Sequence, residues 1–443
     1  MNRKVFWGLM LLFTVWHAVS VSIEWSRAQG RSDGLDFASY YYAVGVAKDG
    51  RDPYRKRQLK LAAVADINPR TGKSFRKAVH PFFYPPPFVL VTAWVDGLDM
   101  ITAYRLWFWL DELFTILCGL VLWRWWRPMG PALPVVIAAS IAVLTAIPNN
   151  HFMGQANIPV LFLVLFGLWQ EEEGRPTLGG ASVGLACMLK MSPALFVAWW
   201  LLRWRWRAVV AAVITALFLT LMSLLIVQPE YQIRFYLRVL PMFANGNYNG
   251  LSVPIDMFGN HSLPNLLHQF LPGGTAHRLG RLTGEVSRVL SLCMVAGVGT
   301  AWWWDTEDRF REWAQLASVG VLLLMIPVYT YEHHVVWALP AVVLCVMAAI
   351  ERTRLSDWAS ALMVAAVFVW AFELAMLKPV WQWLLDQGGL LSPLAFVVQE
   401  LKMLALITFG VLTAVMGTTW GLSRQQLQGL APGMPPANQG KDS

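Results

Sequence analysis

The sequence predicts an all-α polytopic membrane protein of about twelve transmembrane helices, and three observations predict it. Of 443 residues, 56% are hydrophobic and 14% charged, whereas a soluble chain carries roughly a quarter charged residues. The apolar residues fall into runs long enough to cross a bilayer, which a soluble multidomain chain has no reason to build. Arginines between those runs sit mostly in short loops that a twelve-helix topology puts on one side, as the positive-inside rule requires.

Arg3 and Lys4 precede an apolar run at 5–22 with no clean small-x-small cleavage site after it. That reads as an uncleaved first helix with its N-terminus inside. Further runs occupy 82–96, 101–122, 131–148, 157–169, 178–201, 208–227, 286–304, 313–328, 335–350, 358–377 and 394–418. Several are shorter than the roughly 20 residues of a perpendicular crossing, so tilted or half-buried helices are expected. Arg203/Arg205/Arg207, Arg309/Arg311 and Arg352/Arg354 all become cytoplasmic, as does a tail at 424–443 whose composition predicts disorder. Arg124/Arg127 run against the rule, which leaves the topology between 96 and 160 open. Residues 1–423 form one domain with two long outward loops, about 23–81 and 228–285. Loops of that length are functional or disordered, and these carry helical spacing. Phe37, Tyr40, Tyr41, Val44 and Ala47 make one set, 55–67 a basic amphipathic second, and Tyr231, Phe235, Tyr236, Val239 and Phe243 a third. All three suit helices lying in the membrane interface.

Composition also excludes. The formal net charge of +8 lies beside apolar runs and in the long loops, where membrane lipids rather than nucleic acid are the expected partner. Cys118, Cys187, Cys293 and Cys345 all fall inside apolar runs, without the spacing of a zinc or disulfide framework. The 24 Trp, many near run ends, read as an interfacial belt. No Walker A loop and no Asp-x-Asp pair occurs. A nucleotide-sugar donor is therefore disfavoured against a lipid-borne one, and neither a metal nor a cofactor is expected.

Polar residues at the membrane surface carry the candidate chemistry. Asp36, just past the first helix, could take a proton from an acceptor hydroxyl or simply cap its helix; Asp33 competes for the first role. His80 could touch a phosphate, although the prolines after it are structural, fixing an extended entry into the bilayer. Lys190 lies deep in an apolar run, where a charge is costly and functional by default. Gln155 and Asn157 link two runs and could satisfy freed backbone groups. Asn260 and Ser262 sit in a segment that could be a turn. His333 and His334 fall in a very short outward loop and suit phosphate better than metal.

In this order the pieces resemble the GT-C superfamily of membrane glycosyltransferases, and within it glycosyltransferase family 87, the polyprenyl-phosphate-mannose-dependent α-mannosyltransferases. The resemblance spans about residues 5–350. It rests on Asp36 with Tyr40, Gly50-Arg51-Asp52-Pro53-Tyr54, Tyr84-Pro85-Pro86, Gly154-Gln155-Ala156-Asn157, and Gly184-Leu185-Ala186 followed by Lys190 and Pro193. Arg203-Trp204-Arg205-Trp206-Arg207, Asn260-His261-Ser262-Leu263 and His333-His334 complete it. The sequence departs at His261, where Gln is usual, and at Tyr331-Glu332.

The resemblance implies a GT-C fold, a polyprenyl-phosphate sugar donor, a lipid or glycan acceptor and inversion at the anomeric carbon. Asp36 would be the general base. Lys190, His333, His334 and His80 would bind the donor phosphate, and Tyr40, Tyr84, Gln155, Asn157, Asn260 and Ser262 would line the cavity. The expected protein is a multi-pass enzyme of a bacterial cytoplasmic membrane with its site facing outward, moving a hexose, expected to be mannose. A glycolipid flippase is the main rival. It would be expected to show inverted repeats, and none is visible.

Overall fold

The computed structural model describes residues 2–31, 35–68, 72–251, 253–303, 309–350, 357–388 and 392–418. Asp33, Arg352, Arg354 and the tail at 424–443 lie outside the described residues. Within them the chain is helical, with two isolated β-bridges, Ile67 with Ser74 and Thr275 with Arg278.

The first helix, α1 (Arg3–Arg31), is followed by α2 (Leu35–Lys48) and the short α3 (Pro86–Val91). Then come α4 (Met100–Trp126), α5 (Leu133–Val143), α6 (Ala146–Met153), α7 (Asn157–Glu172), α8 (Pro176–Leu189), α9 (Ala194–Leu202) and α10 (Trp206–Ser223). The C-terminal part holds α11 (Arg281–Trp303), α12 (Arg309–Met325), α13 (Leu339–Ile350), α14 (Asp357–Ala371), α15 (Lys378–Gln387) and α16 (Ser392–Thr418). Six helices in the described residues are long and apolar enough to cross a membrane, or up to eight if each of two bent pairs is one span. One pair is α5 with α6, bent by 52°; the other joins α14 to the segment Leu374–Gln387, bent by 87°.

That count differs from twelve runs for a physical reason. The other four runs, at 82–96, 157–169, 178–201 and 313–328, fold as α3, α7, α8 with α9, and α12. Prolines and a polar break interrupt the first and third of these, and each remaining helix is shorter than about 20 residues. α12 is buried along nearly its whole length, so it is an inner helix. Lipid-facing character shows instead on α1, where Trp7, Leu11, Trp16 and Val19 are exposed, as expected where the solvent is hydrocarbon.

The tightest packing joins α7, α8 and α10. A Cβ on Gly180 would stand 2.1 Å from the Ala208 carbonyl oxygen, and one on Gly184 would stand 2.5 Å from that of Ala212. Gly167 faces Val183 and Gly179 in the same way, at 2.7 and 2.8 Å. Small residues four apart let backbones approach where lipid gives helices no hydrophobic reason to associate.

Two expectations change here. α2 does not present one open face: Phe37, Ala38, Tyr40, Tyr42, Ala43, Val44, Val46 and Ala47 are all buried. And the tryptophans are not simply a belt, because Trp126, Trp199, Trp200 and Trp370 are fully buried while Trp123, Trp204 and Trp206 are exposed. The two long connections meet each other. Arg234 donates to Asp52 at 2.6 Å, and Asn249 donates to the Tyr54 and Phe82 carbonyls at 2.6 and 2.8 Å.

Candidate active site

A cavity of about 540 Å³ opens between these connections and the helix ends. Its polar lining includes Asp36, His80, Gln155, Lys190, His333 and His334, and its aromatic lining includes Phe83, Phe243, Tyr248 and Tyr329. The polar residues arrive from five separate stretches of chain, so only the fold brings them together.

Asp36 opens α2 in its first turn. Gln155 Nε2 donates to its Oδ2 at 2.6 Å, Tyr84 donates to Gln155 Oε1 at 2.9 Å, and Tyr40 donates to the Tyr84 hydroxyl at 2.6 Å. The chain of donors is directional and ends on the carboxylate, which fixes its rotamer. Gln155 holds its own place because the backbone turns at Gly154, with φ +62°, where a Cβ would meet that of Phe37 at 2.6 Å. Burial is the main cause raising the Asp36 pKa, opposed by His80, the Gln155 hydrogen bond and Lys190. A carboxylate made more basic by burial and aimed into a cavity is suited to proton abstraction.

Lys190 follows α8 in extended conformation, φ −152° and ψ 127°, and Pro193 starts α9 after it. The break exposes non-helical backbone only where it borders the cavity. Lys190 Nζ donates to Asn157 Oδ1 at 2.5 Å. Asn157 Nδ2 in turn reaches the His333 carbonyl at 3.0 Å and Asn150 Oδ1 at 3.1 Å, and Asn150 donates to Asp111 at 3.0 Å. His334 Nδ1 accepts the backbone N–H of Tyr331 at 3.0 Å, so a neutral ring carries its proton on Nε2 and can donate from there. The His333 and His334 rings lie 4.3 Å apart.

Tyr40 and Asn157 do not line the cavity but hold residues that do. Asn260 and Ser262 stand one layer behind it. Asn260 bonds the Ile255 and Val328 carbonyls and the Thr330 N–H at 2.8–3.0 Å; Ser262 donates to Val328 at 2.8 Å and caps its helix through Asn265 N. Both shape the segment before His333. Sequence reasoning missed Glu332, which lines the cavity, and Lys402, its ion-pair partner on α16; it also missed Asp111, buried behind Asn150. For Asp111 and Lys402 the signal was present, an ionisable residue inside an apolar run; Glu332 lies in the short loop with His333 and His334. Among the described residues no group of three or more His, Cys, Asp or Glu side chains could hold a metal.

The model of glycosyltransferase family 87 matches residues 82–327, more than half of the chain. The chain belongs to glycosyltransferase family 87. A relative from Mycolicibacterium smegmatis, the polyprenol-phosphate-mannose-dependent alpha-(1-2)-phosphatidylinositol mannoside mannosyltransferase, is 27% identical over 318 residues, covering 66% of this chain and 67% of its own. Within this family 87 glycosyltransferase the matched segment contains Tyr84, Gln155, Asn157, Lys190, Asn260 and Ser262. Asp36 and His80 precede it and His333 and His334 follow, joined to it by the contacts above.

Proposed function

We propose that this family 87 enzyme transfers a hexose, mannose, from a polyprenyl phosphate to an acceptor hydroxyl, with inversion, on the outer face of a bacterial cytoplasmic membrane. The single observation that carries the mechanism is that Asp36 and the set Lys190, His333 and His334 line one cavity. The name of the mycolicibacterial relative supports the donor and the sugar.

Asp36 accepts the proton of the acceptor hydroxyl as its oxygen bonds to the anomeric carbon. The bond between that carbon and the phosphate oxygen breaks with both electrons going to phosphate, releasing polyprenyl phosphate. Charge grows on the departing oxygen, and the Lys190 ammonium and the Nε2–H of His334 are suited to receive it, with the His333 ring beside that of His334 and His80 also in the cavity lining. Donors fixed before the reaction stabilise that charge without reorganising. The Tyr40–Tyr84–Gln155 chain keeps the base in register with the hydroxyl, a matter of orientation that is worth several kcal/mol in well-ordered sites.

The test is Asp36→Asn in the full-length protein, reconstituted with labelled polyprenyl-phosphate mannose. Asn keeps the shape and can still accept from Gln155. Transfer should fall by about 10²–10⁴ with donor binding preserved. Wild-type rates in this variant would remove the base assignment. Labelled lipid that crosses the bilayer without any transfer would favour a flippase instead.

A further inference from the structure

The described residues lining the cavity hold more carboxylates than ammonium or guanidinium groups. Lys190 is the only Lys or Arg among the described residues lining it, while Asp36, Glu332 and Glu373 all do. A bound phosphate adds further negative charge, so a site that takes one needs compensation from outside its own lining.

That compensation stands behind Glu332. Lys402 rises from α16 and ion-pairs with it while its own side chain is 0% exposed. Lys402 Nζ also donates to Thr145 Oγ1 at 3.0 Å, Thr145 donates onward to Glu332 Oε1 at 2.5 Å, and the Trp370 ring covers the ammonium with its centroid 5.9 Å away. The second Glu332 oxygen lies 3.6 Å from His261 Nε2. Enclosed in this way, Lys402 does not line the cavity; its ion pair within the lining is with Glu332, which directly precedes His333 and His334, and Glu373 also lies within its electrostatic reach.

We propose that Lys402 is a positioning residue that cancels the Glu332 charge and so keeps the set Lys190, His333 and His334 attractive to a phosphate anion. The proposal rests on the transferase reading above. Removing one member of a buried pair leaves the other charge uncompensated in a poorly screened interior, so the two single variants act with opposite sign. Lys402→Met leaves a carboxylate beside that set; Glu332→Gln leaves an ammonium.

The experiment measures transfer by the full-length protein in nanodiscs, varying polyprenyl-phosphate mannose. Lys402→Met should raise the donor KM about tenfold, equivalent to about 1.4 kcal/mol, with a smaller change in kcat. Glu332→Gln should lower the donor KM. The double variant should return to within about threefold of wild type, its two charges having gone together. A strut with no electrostatic role would raise KM in both singles and would not be rescued. Either that pattern or a wild-type KM in Lys402→Met overturns the proposal. Should Lys402→Met fail to fold, as read by its melting curve, the step from Glu332→Gln to the double variant must still raise the donor KM. If the wild type transfers nothing, the function proposed above fails by itself, and binding of a polyprenyl monophosphate across the same four proteins still tests the charge balance.

Discussion

Replacing Lys190 with methionine removes the one ammonium that faces the cavity while keeping a long apolar side chain at the break between α8 and α9. No neighbour can take over, because no other Lys or Arg lines the cavity among the described residues. One N–H of Lys190 is committed to Asn157 Oδ1 at 2.5 Å, which leaves two for a ligand. A hydrogen bond to a charged group contributes about 1.5–3 kcal/mol, and each 1.36 kcal/mol is a factor of ten in rate. The loss in kcat/KM should therefore be roughly 10- to 150-fold. Because the phosphate oxygen gains charge as its bond to the sugar breaks, part of that loss must appear in kcat and not only in donor KM. Stability should not fall in step, since a buried charge has been removed and the Asn157 amide keeps its bonds to Asn150 and His333. The assay is steady-state transfer in nanodiscs with donor and acceptor varied in turn, beside a melting curve for the same preparation. A kcat/KM within threefold of wild type would refute the assignment of Lys190 to the donor phosphate; an equal loss traced entirely to unfolding would refute the packing argument.

Four further outcomes follow from the structure. Gly180→Leu puts atoms where a Cβ alone meets the Ala208 oxygen at 2.1 Å, so α8 and α10 must separate; overpacking of this kind costs about 1–3 kcal/mol or more, read as a lower melting temperature. The Asp36 pKa is raised by burial, so the reactive carboxylate increases with pH and the acid limb of the rate profile should lie above the ordinary carboxylate range. The same raised value means that Asp36 favours folding while protonated and loses that contribution as pH rises through it, so Asp36→Asn should melt no lower than wild type at neutral pH. Asp52→Ala breaks the 2.6 Å pair with Arg234 and the cap on Tyr54 N, and should make the two long connections more open to limited proteolysis.

Much of the candidate site was legible because membranes make polar residues conspicuous. Lys190 could be singled out on cost alone, since hydrocarbon admits few ionisable groups without a reason, and the His333-His334 pair as adjacent imidazoles in a short outward loop. Applied with the same rigour, that rule would have found Asp111 in the run 101–122 and Lys402 in the run 394–418. Direction was not legible. Asn260 and Ser262 are polar, near the site in space and yet turned toward the backbone at 328–330, and composition does not say which way a side chain faces. The helix count was only partly legible, because hydropathy marks where apolar residues accumulate but not where backbone leaves a helix. The run 178–201 reads as one span, yet its helix ends at Leu189. The Gly180-Ala-Ser-Val-Gly184 spacing was visible in principle as a close-packing signal, but its partner, Ala208 with Ala212, could be identified only from the fold.

That break and that close packing belong to one argument. A lysine within a continuous helix would point wherever the helix rotation sent it, and would have to be carried through lipid or buried among apolar neighbours at a cost of several kcal/mol. Ending α8 at Leu189 frees Lys190 from helical geometry, but it also leaves unsatisfied backbone groups and a short helix with little to hold it in hydrocarbon. The glycine contacts on α8 supply the holding, against α7 on one side and α10 on the other. Asn157, at the start of α7, supplies the polar partner. The position of the cation is thus set by packing several residues earlier in the chain, and this gives Gly184→Val a readout that ordinary destabilisation lacks. By shifting α8 against α10, where a Cβ already meets the Ala212 oxygen at 2.5 Å, it should raise donor KM in protein that remains folded, while acceptor KM, governed from the Asp36 side, changes little. Equal losses for donor and acceptor would separate the glycines from the placement of Lys190 and leave them a purely structural role.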